Sequence, residues 1–278
     1  MQLASSDDVT LTVHDLGGAG RSTLLCHATG FHGLVWTPLA EHIDGLRRWS
    51  VDFRGHGTSS APRDRRFAWD GFADDVLTVV DGLELDRPIR VGHSMGGAAL
   101  LLAEQRRPGT FAALWLFEPV VFPTDGLTGA PRANPLAEGA RRRRASFPSY
   151  EAALANFASK PPMSVLDPVA LEQYVRHGFA EQPDGSVELR CRPDDEAAVY
   201  DLGLRHDAFV HLGEVGCPVL VVRGDLTEPG PAPITPLVAE ALPHGRLEAH
   251  DQLNHFAPLA APERMAASVS RFVEGLNG

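Results

Sequence analysis

Short, continuous apolar runs recur along the chain, and each leads into a turn or loop. The runs at 22–27, 89–92 and 112–117 lack the alternation of polar and apolar residues that a half-exposed strand shows. Strands of this kind are buried on both faces, as in a parallel sheet. Helical patterns lie between them, such as 71–83, where apolar residues repeat on one face. The sequence therefore predicts an α/β fold, a mostly parallel twisted sheet flanked by helices.

This strand–helix alternation stops after residue 118 and resumes at 218. From 119 to about 213 no run is typical of a buried strand, and prolines and glycines separate four helical patterns, at 136–145, 150–158, 169–179 and 195–204. Strands then return at 218–223 and 246–250, followed by a last helix over 262–276. We predict three segments, which are a first part of the core (1–118), an inserted helical cap or lid (119–213) and a second part of the core (214–278).

The composition indicates in which compartment the protein works and which classes of partner it binds. The 278 residues carry 25 Lys and Arg against 36 Asp and Glu, a net charge of −11 that argues against a nucleic-acid partner. Three cysteines make no disulfide framework and favour a reducing, cytoplasmic location. The N-terminus lacks a signal-peptide core, and no stretch approaches the roughly 20 apolar residues of a membrane span. We expect a small-molecule partner rather than a membrane.

A serine stands between the strand at 89–92 and the helical pattern at 95–105. The segment Gly92-His93-Ser94-Met95-Gly96-Gly97 has the G-x-S-x-G spacing in a strand–turn–helix context. An abrupt turn strains the backbone at the serine, and glycines are needed beside it because a Cβ would collide with adjacent elements. The turn projects the hydroxyl at the carboxyl edge of the sheet, where ligands bind in open α/β sheets. Ser94 is therefore the predicted nucleophile.

Four other segments accompany this motif: LLCHATGFHG (24–33), VDFRGHGTSS (51–60), CPVLVVRGD (217–225) and LNHF (253–256). With these motifs the chain resembles the α/β-hydrolase family over nearly its whole length, and it looks like a serine hydrolase with a helical lid. The resemblance implies an oxyanion hole formed by the amide after the serine, that of Met95, and by a second amide after 27–28. Register points to Thr29 for the second amide, with Gly30 or Phe31 as alternatives.

The family places its general base in the loop between the last strand and the last helix. Of the 12 histidines, only His255 lies there, so we predict that His255 activates Ser94. Four other histidines border the same crevice and are interpreted as structural, with His32 also a candidate ligand contact: His27, His32, His56 and His93.

The acid that orients the base has several candidates. Most family members place an Asp after the strand at 218–223, but counting from Gly224 reaches Thr227, and Asp225 and Glu228 are off register. Some members, including certain haloalkane dehalogenases and zearalenone lactonase, take the acid from the preceding strand, and here Glu118 ends that strand. Because an unpaired buried carboxylate is costly, we favour Glu118. The alternatives are Glu228 or Asp225 and, more remotely, Asp251.

These residues predict a serine hydrolase that cleaves a carboxylic ester or lactone through an acyl-enzyme. Two alternatives stay open, a hydrolase of carbon–carbon bonds in β-diketones and a ligand-binding receptor without catalysis. The predicted lid would enclose an apolar pocket for a small apolar ester or lactone. The basic run 141–144 is expected to place two of its four arginines in solvent, with contact to an anionic substrate or acidic partner as the alternative. No metal-ligand spacing or phosphate-binding glycine loop is present, so no metal or cofactor is expected.

Overall fold

The predicted strands assemble into one large sheet. The computed structural model describes residues 1–123, 134–203, 205–227 and 230–276. Within these residues the strands are β1 (Gln2–Ala4), β2 (Thr10–Asp15), β3 (Arg21–Cys26), β4 (Leu46–Asp52), β5 (Ile89–His93), β6 (Ala113–Phe117), β7 (Ser146–Phe147), β8 (Phe179–Glu181), β9 (Val187–Leu189), β10 (Val219–Arg223) and β11 (Gly245–Ala249). The α-helices are α1 (Thr37–Glu41), α2 (Trp69–Gly82), α3 (Met95–Arg106), α4 (Pro135–Arg141), α5 (Tyr150–Ala158), α6 (Pro168–Gly178), α7 (Pro193–Leu202), α8 (Thr235–Ala241), α9 (Ala257–Ala260) and α10 (Pro262–Glu274).

The large sheet has eight strands in the order β1-β2-β4-β3-β5-β6-β10-β11. All pairs from β4 to β11 are parallel, and β2 is antiparallel to both of its neighbours. Every residue of β5 and β6 is buried, as expected for central strands covered on both faces. The predicted α/β fold with a mostly parallel sheet is therefore confirmed.

The register of the central strands brings four loops to one edge of the sheet. Cys26 pairs with Gly92, and His93 pairs with Phe117. Phe117 in turn pairs with Val222 on the next strand. Because these strands are parallel and end at the same level, the loops that follow β3, β5, β6 and β10 open side by side.

Two apolar cores lie on the two faces of this sheet. Side chains alternate along each strand, so Leu114 and Leu116 pack on the face that α2 and α3 cover, whereas Trp115 and Phe117 pack on the opposite face with α10. Trp115 donates a hydrogen bond from its indole nitrogen to the Ser268 hydroxyl at 3.0 Å, which satisfies its one buried polar atom. The two cores make the sheet a rigid base for the loops at its edge.

The segment between β6 and β10, where the sequence has four helical patterns, contains α4 to α7, and it also contains a small sheet that the sequence pattern does not predict. This sheet is antiparallel, in the order β7-β9-β8. Its strands are two or three residues long, too short to show an alternating pattern. The insertion contacts the core at several points, including a hydrogen bond from the Asp167 amide to the Leu259 carbonyl at 2.9 Å.

Two helical segments differ in detail from what their sequence patterns predict. The pattern at 35–43, where apolar residues fall on one helical face, predicts a single helix, whereas the structure has a 3₁₀ turn over Gly33–Trp36 followed by the short α1. The helix expected over 136–145 ends at Arg141, so that Arg142 to Arg144 leave the helix. In the described part of the chain, no helix is long and apolar enough to cross a lipid bilayer.

Candidate active site

Ser94 lies at a sharp turn between β5 and α3. Its backbone has φ +54° and ψ −112°, a conformation that non-glycine residues seldom adopt and that costs on the order of 1–3 kcal/mol. A Cβ at Gly96 would lie 2.3 Å from the Cys26 carbonyl oxygen, and one at Gly92 would lie 2.8 Å from the Gly97 Cα. Both collisions confirm the steric reason for glycine on each side of the serine. Ser94 is therefore held at the edge where the four loops meet.

Glu118 ends β6 beside this turn and is buried, with 1% of its surface exposed. Its φ of +43° is unusual for a residue with a side chain. One carboxylate oxygen, Oε1, accepts a hydrogen bond from the Gly224 amide at 2.8 Å. The other, Oε2, is 2.6 Å from His255 Nδ1. Both oxygens thus have partners, which removes the cost of burying this carboxylate.

His255 lies in the loop between β11 and α9, as the chain order predicts. Because a carboxylate can only accept a hydrogen bond, the bond to Glu118 places the ring proton on Nδ1 and leaves Nε2 as the basic nitrogen. The backbone of this loop is also fixed, because His93 Nε2 donates to the His255 carbonyl at 2.8 Å. Burial, with the adjacent His255, holds the pKa of His93 well below its usual value, so His93 is a neutral donor.

His93 also links the base loop to the turn that carries the serine. It directly precedes Ser94 in the chain, and its ring centroid is 4.8 Å from that of His255. The Ser94 side chain does not cap α3, and among the described residues it makes no hydrogen bond with His255. Contacts between nucleophile and base are often longer in the absence of substrate. The structure thus brings Glu118 and His255 into contact and places both beside the Ser94 turn.

The other predicted acids lie elsewhere or outside the described residues. Asp225 accepts hydrogen bonds from the Thr227 amide and hydroxyl, both at 2.8 Å. Asp251 pairs with Arg223. Glu228 lies outside the described residues. In the described part of the chain, neither Asp225 nor Asp251 forms a hydrogen bond with the His255 ring, which is paired with Glu118.

The loop after β3 orients the predicted oxyanion amide through His27. The Phe53 amide donates to His27 Nε2 at 3.0 Å, so the ring proton is on Nδ1 and is donated to the Ala28 carbonyl at 2.8 Å. Burial, with a smaller effect of the nearby His56, keeps the pKa of His27 well below its usual value. The N–H of Thr29 belongs to the same trans peptide as the Ala28 carbonyl and therefore points away from His27.

The amide of Met95 begins α3, where the first N–H groups have no partner within the helix. The positive end of the helix dipole lies at the same point and favours an oxyanion there. Of the alternatives for the second donor, Gly30 has φ +80° and Phe31 donates its amide to the Ala28 carbonyl at 3.2 Å. The Phe31 amide therefore already has a hydrogen-bond acceptor within its own loop.

A cavity of about 490 Å³ lies between this loop and the insertion. Thr29, Gly30 and Phe31 line it from the core, as does Phe256, the neighbour of His255. Ser94, His255 and Glu118 are not among its lining residues, so the cavity adjoins the candidate site through the neighbouring residues of these two loops. The sequence predicts an apolar pocket, whereas the lining combines aromatic side chains with several charged ones.

The charged lining comes from residues whose role the sequence pattern does not reveal. Arg143 donates hydrogen bonds to the Glu196 carboxylate and to the Tyr174 hydroxyl. Glu196 and Tyr174 lie 22 residues apart on separate helices and carry no local motif, so only the fold brings them together. Of the run 141–144, three arginines are exposed and Arg143 is partly buried, because α4 ends before the run does. In the described part of the chain, no group of three His, Cys, Asp or Glu side chains could hold a metal ion.

Known proteins similar to this chain include enzymes and a receptor. Monoglyceride lipase of Homo sapiens is 37% identical over 101 residues, which are 34% of this chain and 33% of the lipase. The chain therefore aligns with about a third of the lipase. Karrikin insensitive 2 receptor B of Petunia hybrida is 27% identical over 217 residues, 76% of this chain and 75% of the receptor.

A further relative matches nearly end to end. 2-(Acetamidomethylene)succinate hydrolase of Mesorhizobium japonicum is 25% identical over 272 residues, 96% of this chain and 92% of that enzyme. A solved structure of E-2-(acetamidomethylene)succinate hydrolase superposes with a TM-score of 0.77 at 21% identity, covering 99% of this chain and 98% of that one. At this identity the superposition shows a shared fold. The model of the alpha/beta hydrolase family matches residues 23–268, so the chain belongs to that family.

Proposed function

We propose that this protein is a serine hydrolase that cleaves a carboxylic ester or lactone. Ser94 attacks the carbonyl carbon while His255 Nε2 takes its proton, and Glu118 holds His255 in the required tautomer. The protonated His255 then gives its proton to the leaving alkoxide, and an acyl-enzyme forms on Ser94. Water, deprotonated by His255, hydrolyses this acyl-enzyme and frees the serine. The main support is the hydrogen bond between Glu118 and His255 beside the strained turn at Ser94.

The oxyanion of each tetrahedral intermediate is held, in this proposal, by the amides of Thr29 and Met95. A single donor of this kind contributes about 2.7–4 kcal/mol to the transition state. The His27 bond to the Ala28 carbonyl supports the choice of Thr29, since it fixes the direction of that amide.

We also propose that residues 119–213 act as a lid on a core made of 1–118 and 214–278. This division is supported by the cavity, which is lined by residues of both the core and the insertion. A lid over such a cavity would exclude water and so strengthen the electrostatic stabilisation of the oxyanion. A receptor without turnover is the second candidate function, favoured by the similarity to the petunia receptor.

A panel of substrates distinguishes these functions. We expect the protein to turn over 4-nitrophenyl esters or lactones, and to cleave vinylogous diketones more slowly or not at all. Each rate is compared with that of the Ser94→Ala variant to remove background hydrolysis. Faster cleavage of the diketones would identify a carbon–carbon hydrolase instead. Stoichiometric ligand binding without turnover of any of the three classes would identify a receptor.

Gly30→Ala is expected to lower kcat/KM for 4-nitrophenyl butyrate by about tenfold or more, because it disturbs an oxyanion amide. A Cβ at Gly30 would lie 2.7 Å from the Glu196 carboxylate and would push the loop that carries Thr29. Gly109→Ala is the matched control, since Gly109 has nearly the same φ (+81°) but no atom within 4 Å of its Cβ position. Equal activities of the two variants would show that the position of this loop does not matter for catalysis.

A further inference from the structure

The cavity is positively charged although the chain as a whole is negative. In the part of the chain that the structure describes, its lining includes Arg142, Arg143, Arg144 and Lys160, against one carboxylate, Glu196. The net charge of the chain is −11. A cleft lined by one sign of charge with low-dielectric walls concentrates the field and attracts ligands of the opposite sign. The charges in this cavity therefore favour an anionic ligand.

Among the described cations that line the cavity, Arg143 lies against the candidate oxyanion loop. Its Nη1 lies 3.4 Å from the position that a Cβ on Gly30 would take. Gly30 directly follows Thr29, whose amide is the proposed oxyanion donor. The guanidinium thus lies against the residue that follows the proposed oxyanion donor.

Glu196 and Tyr174 hold this guanidinium in place without using all its donors. The guanidinium group has five N–H bonds, and the hydrogen bonds to Glu196 and Tyr174 engage two of its nitrogens. The side chain of Arg143 is 22% exposed, and it lines the cavity. Burial by itself would lower the pKa of Arg143, but the adjacent Tyr174 and Glu196 outweigh it and raise that pKa, so the group stays charged.

Lys160 provides a second positive charge on the cavity wall. It is the single lysine of the chain, and it is exposed two residues after the end of α5. In the described part of the chain it forms no ion pair, whereas Arg142 lies 3.7 Å from Glu138. The ring of Phe147 lies under Arg144 and that of Phe157 under Arg143, so the same wall offers apolar surface beside its charges.

We propose that the substrate carries a carboxylate group, which Arg143 binds with the help of Lys160 while the ester or lactone carbonyl reaches Ser94. This inference rests on the proposed hydrolase function and names its substrate class. The planar guanidinium matches the geometry of a carboxylate, and the aromatic side chains contact the carbon chain that joins the two ends of the substrate.

Two esters of equal chain length test the proposal. 4-Nitrophenyl hexanoate ends in a methyl group, and mono-4-nitrophenyl adipate ends in a carboxylate at the same position. We expect wild-type protein to give a kcat/KM about tenfold higher for the adipate ester, in the range expected for a hydrogen bond to a charged group. Added KCl is expected to reduce this preference, because salt screens the charges. A preference for hexanoate would overturn the proposal.

Variants show whether Arg143 causes the preference. The double variant Arg143→Met, Glu196→Gln removes the cation without leaving an unpaired carboxylate, and it keeps the net charge of the chain. We expect it to lower the adipate-to-hexanoate ratio about tenfold, to near unity. Lys160→Met is expected to lower the ratio several-fold. Because Lys160 is exposed, this variant should fold, and it tests the proposal if the double variant does not fold.

The control is Arg141→Met, which changes the net charge by the same amount as Lys160→Met. Arg141 pairs with Asp201 on the surface and does not line the cavity, so the ratio should stay at the wild-type value. An equal fall of the ratio in Arg141→Met and Lys160→Met would overturn the proposal, because it would show a general charge effect.

Binding of adipate, measured by calorimetry, separates this inference from the proposed function. If esters are hydrolysed but the ratio is the same in wild type and both cavity variants, the carboxylate site is wrong and the hydrolase stands. If no ester is turned over but adipate binds wild type and not the double variant, the carboxylate site stands and the hydrolase is wrong.

Discussion

Replacing Ser94 with alanine is expected to abolish turnover of 4-nitrophenyl butyrate, with kcat falling by a factor on the order of 10⁴ to 10⁶. Alanine has no hydroxyl, so no acyl-enzyme can form, and His255 has no proton to take. The oxyanion amides remain and account for any residual rate above that in water. Steady-state kinetics at saturating ester measure the change.

The fold should survive this substitution, because the Ser94 hydroxyl does not cap α3 and the strained backbone stays the same. The midpoint of thermal unfolding is the control, and Ser159→Ala, at an exposed position after α5, is the matched serine variant that should keep wild-type activity. A folded Ser94→Ala protein that still hydrolyses the ester at the wild-type rate would refute Ser94 as the nucleophile.

Glu118→Gln is expected to have the second-largest effect, a loss of kcat on the order of 10³ to 10⁴. Glutamine fills the same space, and its amide oxygen can still accept from the Gly224 amide. Its NH₂ group would then face His255 Nδ1 and would donate to it, which moves the ring proton to Nε2. In that tautomer His255 cannot take the proton of Ser94, and the stabilising negative charge is also lost.

The other candidate acids provide the comparison for this prediction. Asp225→Asn and Glu228→Gln should stay within about twofold of wild-type kcat, since in this proposal Glu118, and neither of these two carboxylates, orients His255. Steady-state assays with 4-nitrophenyl butyrate measure kcat for each of the three variants under the same conditions. A large loss in Asp225→Asn or Glu228→Gln, with Glu118→Gln near wild type, would assign the acid to the loop after β10.

Much of the core could be predicted because each buried strand is a continuous apolar run that ends at a recognisable turn. The run at 89–92 and the G-x-S-x-G spacing around Ser94 form a local signal that can be recognised in the sequence, although the collision that requires glycine at 96 involves the distant Cys26 carbonyl. The burial argument for Glu118 likewise depends only on its position at the end of an apolar strand. That argument requires a partner for Glu118, and the structure places His255 in contact with it. The catalytic role of this pair is still a prediction.

The partners of these residues depend on the order of strands in space, which the local pattern does not contain. The Gly224 amide reaches Glu118 because β10 lies beside β6 in the sheet, although the two residues are 106 positions apart. Likewise, the direction of the Thr29 amide follows from the hydrogen bond that the His27 ring donates to the Ala28 carbonyl. A sequence pattern cannot show this bond. These contacts are set by tertiary packing.

Contacts within the insertion are even harder to predict from a local sequence pattern. A helical period over 136–145 distributes the four arginines around a helix, whereas the helix ends at Arg141 and the chain then turns into β7. Arg143 therefore faces the cavity because α4 ends before it and because Glu196 and Tyr174 accept hydrogen bonds from its guanidinium. The charged character of the pocket is thus a property of the fold of the insertion.

The central claim is that Ser94 is a nucleophile activated by His255, and covalent labelling tests it most directly. Folded protein is treated with a fluorophosphonate, and its peptides are mapped by mass spectrometry. We predict one phosphonyl adduct, on the peptide that contains Ser94, with loss of fluoride and far slower labelling of His255→Gln. An unlabelled Ser94 in protein that is folded, or equally fast labelling without the imidazole, would contradict the account.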